Sequence, residues 1–520
     1  MTFLKKYLVS KIRALSPRLY FFLLKQFRPT FKQVRGEEVD PDQIRTRNLR
    51  EVEALLQDAG IKILCTHEAC HFGEIWALVE GGEAEVKEFV GRVVNQKMHA
   101  RAFFAAKSEA APLRKPSELK QFLRRDDLAE ITSFMAGRVY LPGADASPYG
   151  WHAATRVYFY TPSECAETLQ ATGNKDTLPV LSRQLLPLED ESAHPLWSHP
   201  GVDEITFPID VVYTWVDGDD PAWLARKLEA EGRGAEEVDL RANNRSRYQN
   251  RDELLYSLRS LYYYAPWVRN IYLVTDRQMP SWLGNYQYTR LKIVDHRELF
   301  PADAALPTFN SHAIESVLHR VPGLSEHFLY MNDDVFFGRP VWPTQFFEAN
   351  GIARTFLSTA MVPICLPEAS DRASEWGALN ASRLTCQGFQ RTIRYKTKHT
   401  PIPLRKSLME ELEAKYADEF RAVRGRRFRS REDIAPVTSM HMAFGLLKGC
   451  VVRGTVRYAY VDIADQNLVK NISRVARGRF DVFCLNDTEA DDDLDWSWQE
   501  KALREMLDKM FPFKAAWEKS

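Results

Sequence analysis

Across its 520 residues the sequence carries no surplus of either charge, since Lys+Arg and Asp+Glu both number 70. That balance excludes a general nucleic-acid binder, whose phosphate contacts demand a basic excess. No apolar run reaches 18 residues, so no segment reads as a membrane-spanning helix. Cysteine is scarce: seven residues at loose spacing, Cys65, Cys70, Cys165, Cys365, Cys386, Cys450 and Cys484. An odd, scattered set is not a disulfide framework and points to a reducing, cytoplasmic setting. The one dense group, Cys65 to His71, lacks a second ligand pair at zinc-finger spacing and reads as a buried strand followed by a turn. Internal repeats and low-complexity tracts are also missing, which excludes repeat architectures.

What is present is a globular composition, 45% hydrophobic and 27% charged, in a chain long enough for two or three domains. Residues 1–37 form a basic leader. Nine Lys or Arg precede the first acid, Glu37, while Phe3, Leu4, Tyr7, Leu8, Ile12 and Leu15 recur at helical spacing. Two readings stay open. Residues 1–35 lie as an amphipathic helix on the inner, anionic face of a membrane, a peripheral contact, or they pack as an ordinary helix on the domain behind.

Residues 38–185 alternate helical and extended patterns, with helices expected at Gln43–Ala59 and Glu83–Val94 and a strand at Ile61–Cys65. This is a small α/β module without legible chemistry. A polar, Pro-containing stretch follows, and residues 186–205 read as a linker. From 206 to 520 the pattern changes. Apolar β-rich runs at Ile209–Trp215, Asn270–Thr275, Leu291–Val294 and His327–Met331 alternate with helices at Arg251–Tyr264 and near Ser311–Leu318. Asn250 and Glu253 resemble a capping box, and Pro266 gives the stop. Such alternation predicts a mostly parallel sheet with helices on its faces. Long helices are expected at Leu404–Arg424 and Asp495–Met510.

Carboxylates gather where strands end. Asp217, Asp219 and Asp220 follow the first strand, and Asn332, Asp333 and Asp334 follow Phe328–Met331. In an open α/β sheet the carboxyl ends of the strands face the ligand crevice, and an acidic pair there lets a hard divalent cation bridge a diphosphate. Basic groups complement them: His399 precedes the Leu404–Arg424 helix, and Arg427, Arg429 and Arg431 follow it. An imidazole can take a proton from an attacking hydroxyl, and guanidinium groups grip phosphate oxygens. Read blandly, these are loop and surface residues.

The run Ile209-Asp-Val-Val-Tyr-Thr-Trp-Val-Asp-Gly218 resembles the first signature block of the Stealth family, which includes capsule polysaccharide phosphotransferases and the catalytic subunit of the lysosomal-enzyme N-acetylglucosamine-1-phosphotransferase. Arg247–Arg339 is similar to the second block, His399–Arg405 with Arg427–Asp433 to the third, and Phe483–Asp487 to the fourth. Gln249-Asn250-Arg251 departs from the pattern, in which Asn directly precedes the acidic pair. The resemblance implies a GT-A-like nucleotide-sugar core that transfers hexose-1-phosphate from a UDP-sugar donor to a glycan acceptor and releases UMP. It implies a divalent metal, Mg2+ or Mn2+, on Asp333, Asp334 and Asp487, and donor contacts from Asn486, Asp252 and Asn310. Asp217 would act near the diphosphate, His399 as base and Arg429 as phosphate clamp. A conventional glycosyltransferase releasing UDP, a non-catalytic glycan-binding module and an assembly scaffold are the alternatives.

Overall fold

The computed structural model describes residues 41–69, 74–96, 98–104, 131–137, 153–165, 167–171, 180–183, 200–232, 250–284, 286–366, 373–465, 467–477, 479–486 and 497–519. The basic leader, Cys70, His71 and Asp487 lie outside the described residues.

Near the N-terminus, strands β1 (Lys62–Ala69), β2 (Glu74–Glu80), β3 (His99–Phe104), β4 (Ile131–Gly137), β5 (Thr155–Pro162), β6 (Thr168–Ala171) and β7 (Val180–Ser182) form one sheet. Its main path runs β1-β2-β5-β4-β3, with β2 and β5 parallel. Helices Pro41–Asp58 and Glu83–Asn95 bury their apolar stripes on it. Val52 and Leu56, four apart, share a helix face and meet Phe89, Phe134 and Phe159 in one buried cluster. This small α/β module is as the periodicity suggested.

The core of the second sheet is built from β8 (Ile209–Thr214), β9 (Ile271–Thr275), β10 (Leu291–Asp295) and β11 (His327–Asn332). They lie in the order β10-β9-β8-β11 with every pair parallel. Strands covered on both faces read as near-continuous apolar runs, and Val211 to Tyr213, Ile271 to Val274 and Phe328 to Met331 are all buried. Asp210 interrupts the first run and is fully buried. It accepts hydrogen bonds from Arg269 Nε at 2.9 Å and from the backbone N–H groups of Asn270 and Ser325 at 3.1 and 2.8 Å. That anion ties the amino ends of the strands together.

Shorter strands follow: β12 (Val335–Phe337), β13 (Ala353–Thr355), β14 (Leu357–Met361) and β15 (Tyr395–Thr397). Strand β16 (Ile402–Arg405) then pairs antiparallel with β11. Beyond it come β17 (Val451–Arg453), β18 (Tyr458–Asp462) and β19 (Val482–Asn486), the last parallel to β18 and antiparallel to β12. Parallel strands place their carboxyl ends on one edge of the sheet, and the antiparallel β16 enters from that same edge. The segment preceding β16 therefore arrives beside the segment following β11.

The expected helix Leu404–Arg424 is corrected. Leu404 and Arg405 complete β16, and two helices, Lys406–Lys415 and Ala417–Arg424, follow with a break at Tyr416 (φ −119°, ψ 44°). The charged periodicity runs on through the break, but Leu404 faces the sheet and pairs with Phe328. The helix after Asn310 is also shorter than expected, Ser311–Glu315.

The two helices are clamped at Glu413, whose carboxylate meets His319 Nε2 at 2.8 Å and receives Arg320 and Arg424. Burial pushes this carboxyl up, but the three partners outweigh it and hold it far below the ordinary value of 4.5. A depressed carboxylate contributes stability above its unfolded pKa and loses it as pH falls through the folded one. Glu413→Gln is therefore expected to cost about 2 kcal/mol at pH 7, with the deficit shrinking as pH drops below 4.5. Urea unfolding of both proteins across that range checks it, and a pH-independent deficit would refute the charge-based cause.

The chain's last described residues return to the sheet's helical face. Trp517 is buried against Tyr262, and Arg259 binds Glu518 through Nε at 2.8 Å and Nη2 at 2.6 Å.

Candidate functional site

Asp333 and Asp334 occupy the turn between β11 and β12. Strand β19 crosses that turn, its Leu485 N–H donating to the Asp334 carbonyl at 3.0 Å. The neighbouring side chains converge on the Asp334 carboxylate. Asn486 Nδ2 and Cys484 Sγ donate to Oδ2 at 2.9 and 3.3 Å, and His399 Nε2 lies 3.0 Å from Oδ1. Asn332 Nδ2 sits 3.3 Å from the same imidazole nitrogen. Tyr460 donates its hydroxyl to Asn486 Oδ1 at 3.0 Å, fixing the amide's orientation. The His399 side chain stays 36% exposed, so the cluster opens to solvent on that side.

Electrostatics divides the two aspartates. Burial raises the Asp334 carboxyl, but His399, Asn486 and Cys484 outweigh it and hold the group below its ordinary value. Burial lowers the His399 imidazole, and Asp334 more than reverses that, so its pKa is raised. Asp333 is pushed well above the carboxylate range by burial first, then by Asp334 and Glu253. Glu253 is itself pushed up to about 7, by burial foremost, with Asp334 adding to it against the pull of Arg251. Two carboxyls held high beside a third that stays ionised form a donor set short of positive charge, which a hard cation would supply. The residues present fit such an ion.

The other expected residues are distributed unevenly. Arg429 is half-buried and donates through Nε and Nη2 to Ser311 Oγ, the former at 3.1 Å. Its charge reaches Glu315, a buried acid that also feels His399. Asn310 is wholly buried and uses its polar atoms within the fold. Its Oδ1 accepts from the His312 N–H at 3.0 Å, and Nδ2 donates to Asp433 Oδ2 at 2.8 Å. It pins the 427–433 loop and so positions Arg429. The Asp217 carboxylate accepts from Asp219 N at 3.1 Å within its own turn and from Asn250 Nδ2 at 3.3 Å. Asp252, at φ 63°, accepts from Arg504 at 2.7 Å. The carboxylate electrostatically coupled to the aspartates is that of the next residue, Glu253.

Three site residues escaped the sequence reading. Glu253 looked like a helix cap, and it does accept from Arg251 N at 2.7 Å. Glu315 lay inside an apolar helix pattern. Cys484 was an isolated cysteine, although it sits within the block ending at Asp487.

Models of Stealth protein conserved regions 1, 2, 3 and 4 match residues 207–235, 247–355, 398–444 and 473–520. An exopolysaccharide phosphotransferase of Streptomyces coelicolor is 34% identical over 499 residues, 92% of this chain and 83% of that one. The chain belongs to the Stealth family. A second Streptomyces coelicolor exopolysaccharide phosphotransferase is 44% identical over 62% of this Stealth chain and 54% of its own length. Exopolysaccharide phosphotransferase CpsY of Mycobacterium tuberculosis is 34% identical over 62% and 60%. A galactosyltransferase, LgtC, solved with donor and acceptor sugar analogues, covers 58% of this chain and 96% of that one at 10% identity and a TM-score of 0.29. The Stealth regions converge in space: region 2 brings Glu253, Asp333 and Asp334, region 3 His399 and Arg429, and region 4 Cys484 and Asn486. Region 1 supplies β8 and the Asp217 turn.

Proposed function

We propose that this chain transfers hexose-1-phosphate from a UDP-sugar to a glycan hydroxyl, forming a phosphodiester in capsule or exopolysaccharide synthesis and releasing UMP. The observation that carries the reading is the direct contact of His399 with Asp334, beside the Asp333–Glu253 carboxyl pair. The acceptor oxygen attacks the phosphorus next to the sugar, and the bond from that phosphorus to the oxygen of the UMP group breaks. His399 takes the hydroxyl proton, and the Asp334 carboxylate stabilises the imidazolium that results. Arg429, held by Ser311, faces negative charge on the phosphate oxygens. Asp333, Asp334 and Glu253 would hold Mg2+ or Mn2+, which supplies charge neutralisation to the diphosphate when bound.

The test is to offer a panel of UDP-sugars with a glycan acceptor and identify the nucleotide released. UMP, with phosphate carried into the glycan product and activity lost in EDTA, is expected. UDP with no transferred phosphate would establish attack at the anomeric carbon instead, and full activity in EDTA would remove the cation from the scheme.

A further inference from the structure

We propose that Asp334, His399 and Cys484 form a site for a borderline-soft divalent cation such as Zn2+, and that Zn2+ bound there switches the enzyme off. Carboxylate oxygen, imidazole nitrogen and thiolate sulfur together are a donor set that suits zinc, whereas Mg2+ takes oxygen ligands and avoids sulfur. The three donor atoms lie within 4.8 Å of one another, and the separations of the Asp334 carboxylate oxygens from their partners, 3.0 Å to His399 Nε2 and 3.3 Å to Cys484 Sγ, suit atoms around one small ion. Three protein ligands leave a fourth position, and the exposed flank of His399 gives it access to solvent. Outer partners orient the set, since Asn486 holds Asp334 and Tyr460 holds Asn486.

The contrast with a second group of suitable side chains is instructive. Asp276, Asp295 and His296 also bring their donor atoms together. There Asp276 is bonded by Arg226 and Arg277, and Asp295 by Arg297, so arginine charge already fills the place of a cation. Among the described side chains no arginine or lysine bonds Asp334; its partners are an imidazole, a thiol and an amide.

On binding, the Cys484 S–H bond breaks, a sulfur–metal bond forms and the proton leaves to solvent. His399 binds through neutral Nε2, so the proton it shares with Asp334 also leaves. No oxidation is involved. The one proton left on the neutral ring then sits on Nδ1, so with Nε2 on the metal His399 has no lone pair with which to accept a proton from the acceptor hydroxyl. The binding step is independent of the phosphotransferase reading; only the inhibition rests on it.

The experiment uses the full chain, stripped of metal and titrated with Co2+ alone. One equivalent is expected to produce a thiolate-to-cobalt charge-transfer band that Zn2+ then erases. The band should vanish in Cys484→Ser and weaken in His399→Gln, and it should persist when Cys65 and Cys70 are both changed to serine. Because Cys484 is buried, His399→Gln provides the variant at a partly exposed position should the first not fold. Absence of any band, or a band that follows Cys65 and Cys70, overturns the site. In turnover with Mg2+, Zn2+ is expected to inhibit, and Cys484→Ser to raise the half-inhibitory concentration at least roughly tenfold. A cobalt band without zinc inhibition would retain the site and refute its effect on turnover.

Discussion

His399→Ala is expected to lower kcat by roughly 10²–10⁴, the range for loss of a general base, while leaving the fold intact. The side chain is partly exposed and joins the site through one carboxylate and one amide, so its removal opens no core cavity. Strand β16, which delivers it, is anchored independently by four residue pairs with β11. KM for the donor should change little, because the imidazole acts on the acceptor proton and not on the diphosphate. Steady-state kinetics with near-UV circular dichroism as the fold control measures both. An unchanged kcat would assign His399 to a structural partnership with Asp334 and leave the base unidentified.

The second large effect is expected at Asp333. Asp333→Asn removes one of the carboxyls that burial and its acidic neighbours hold high, and so takes away a ligand of the proposed cation without altering side-chain shape. Charge neutralisation at a transferring phosphate is worth several kcal/mol, and kcat/KM should fall by roughly 10³-fold. Thermal stability should rise or stay level, since a repulsion between Asp333, Asp334 and Glu253 is relieved. That opposition separates a functional acid from a structural one. A variant that lost stability and kept activity would show that Asp333 serves the fold alone.

Much of the architecture was legible because parallel strands write themselves plainly. Val211 to Tyr213 and Phe328 to Met331 must be apolar to lie between two helical layers, and the acidic turns that follow mark their carboxyl ends. The Asp333–Asp334 turn could thus be located from sequence. Its neighbours were harder to read, because each has a second, local explanation. Glu253 bonds the backbone of its own helix start, so its sequence pattern is that of a cap. The meeting of His399 with Asp334 depends on β16 running antiparallel, which the charged periodicity after Leu404 concealed. Asn310 carried the opposite problem: its block placed it near the site, yet its amide is consumed by His312 and Asp433.

The bond between Arg259 and Glu518 joins residues 259 positions apart. On a ribosome adding roughly 5–20 residues per second, roughly 10–50 seconds separate the appearance of its two ends. Through that interval the helix Glu253–Tyr264 must wait for Trp517 to cover Tyr262. The nascent chain therefore carries an unshielded aromatic surface long after its parallel strands have emerged, a standing invitation to chaperones and, at high expression, to aggregation.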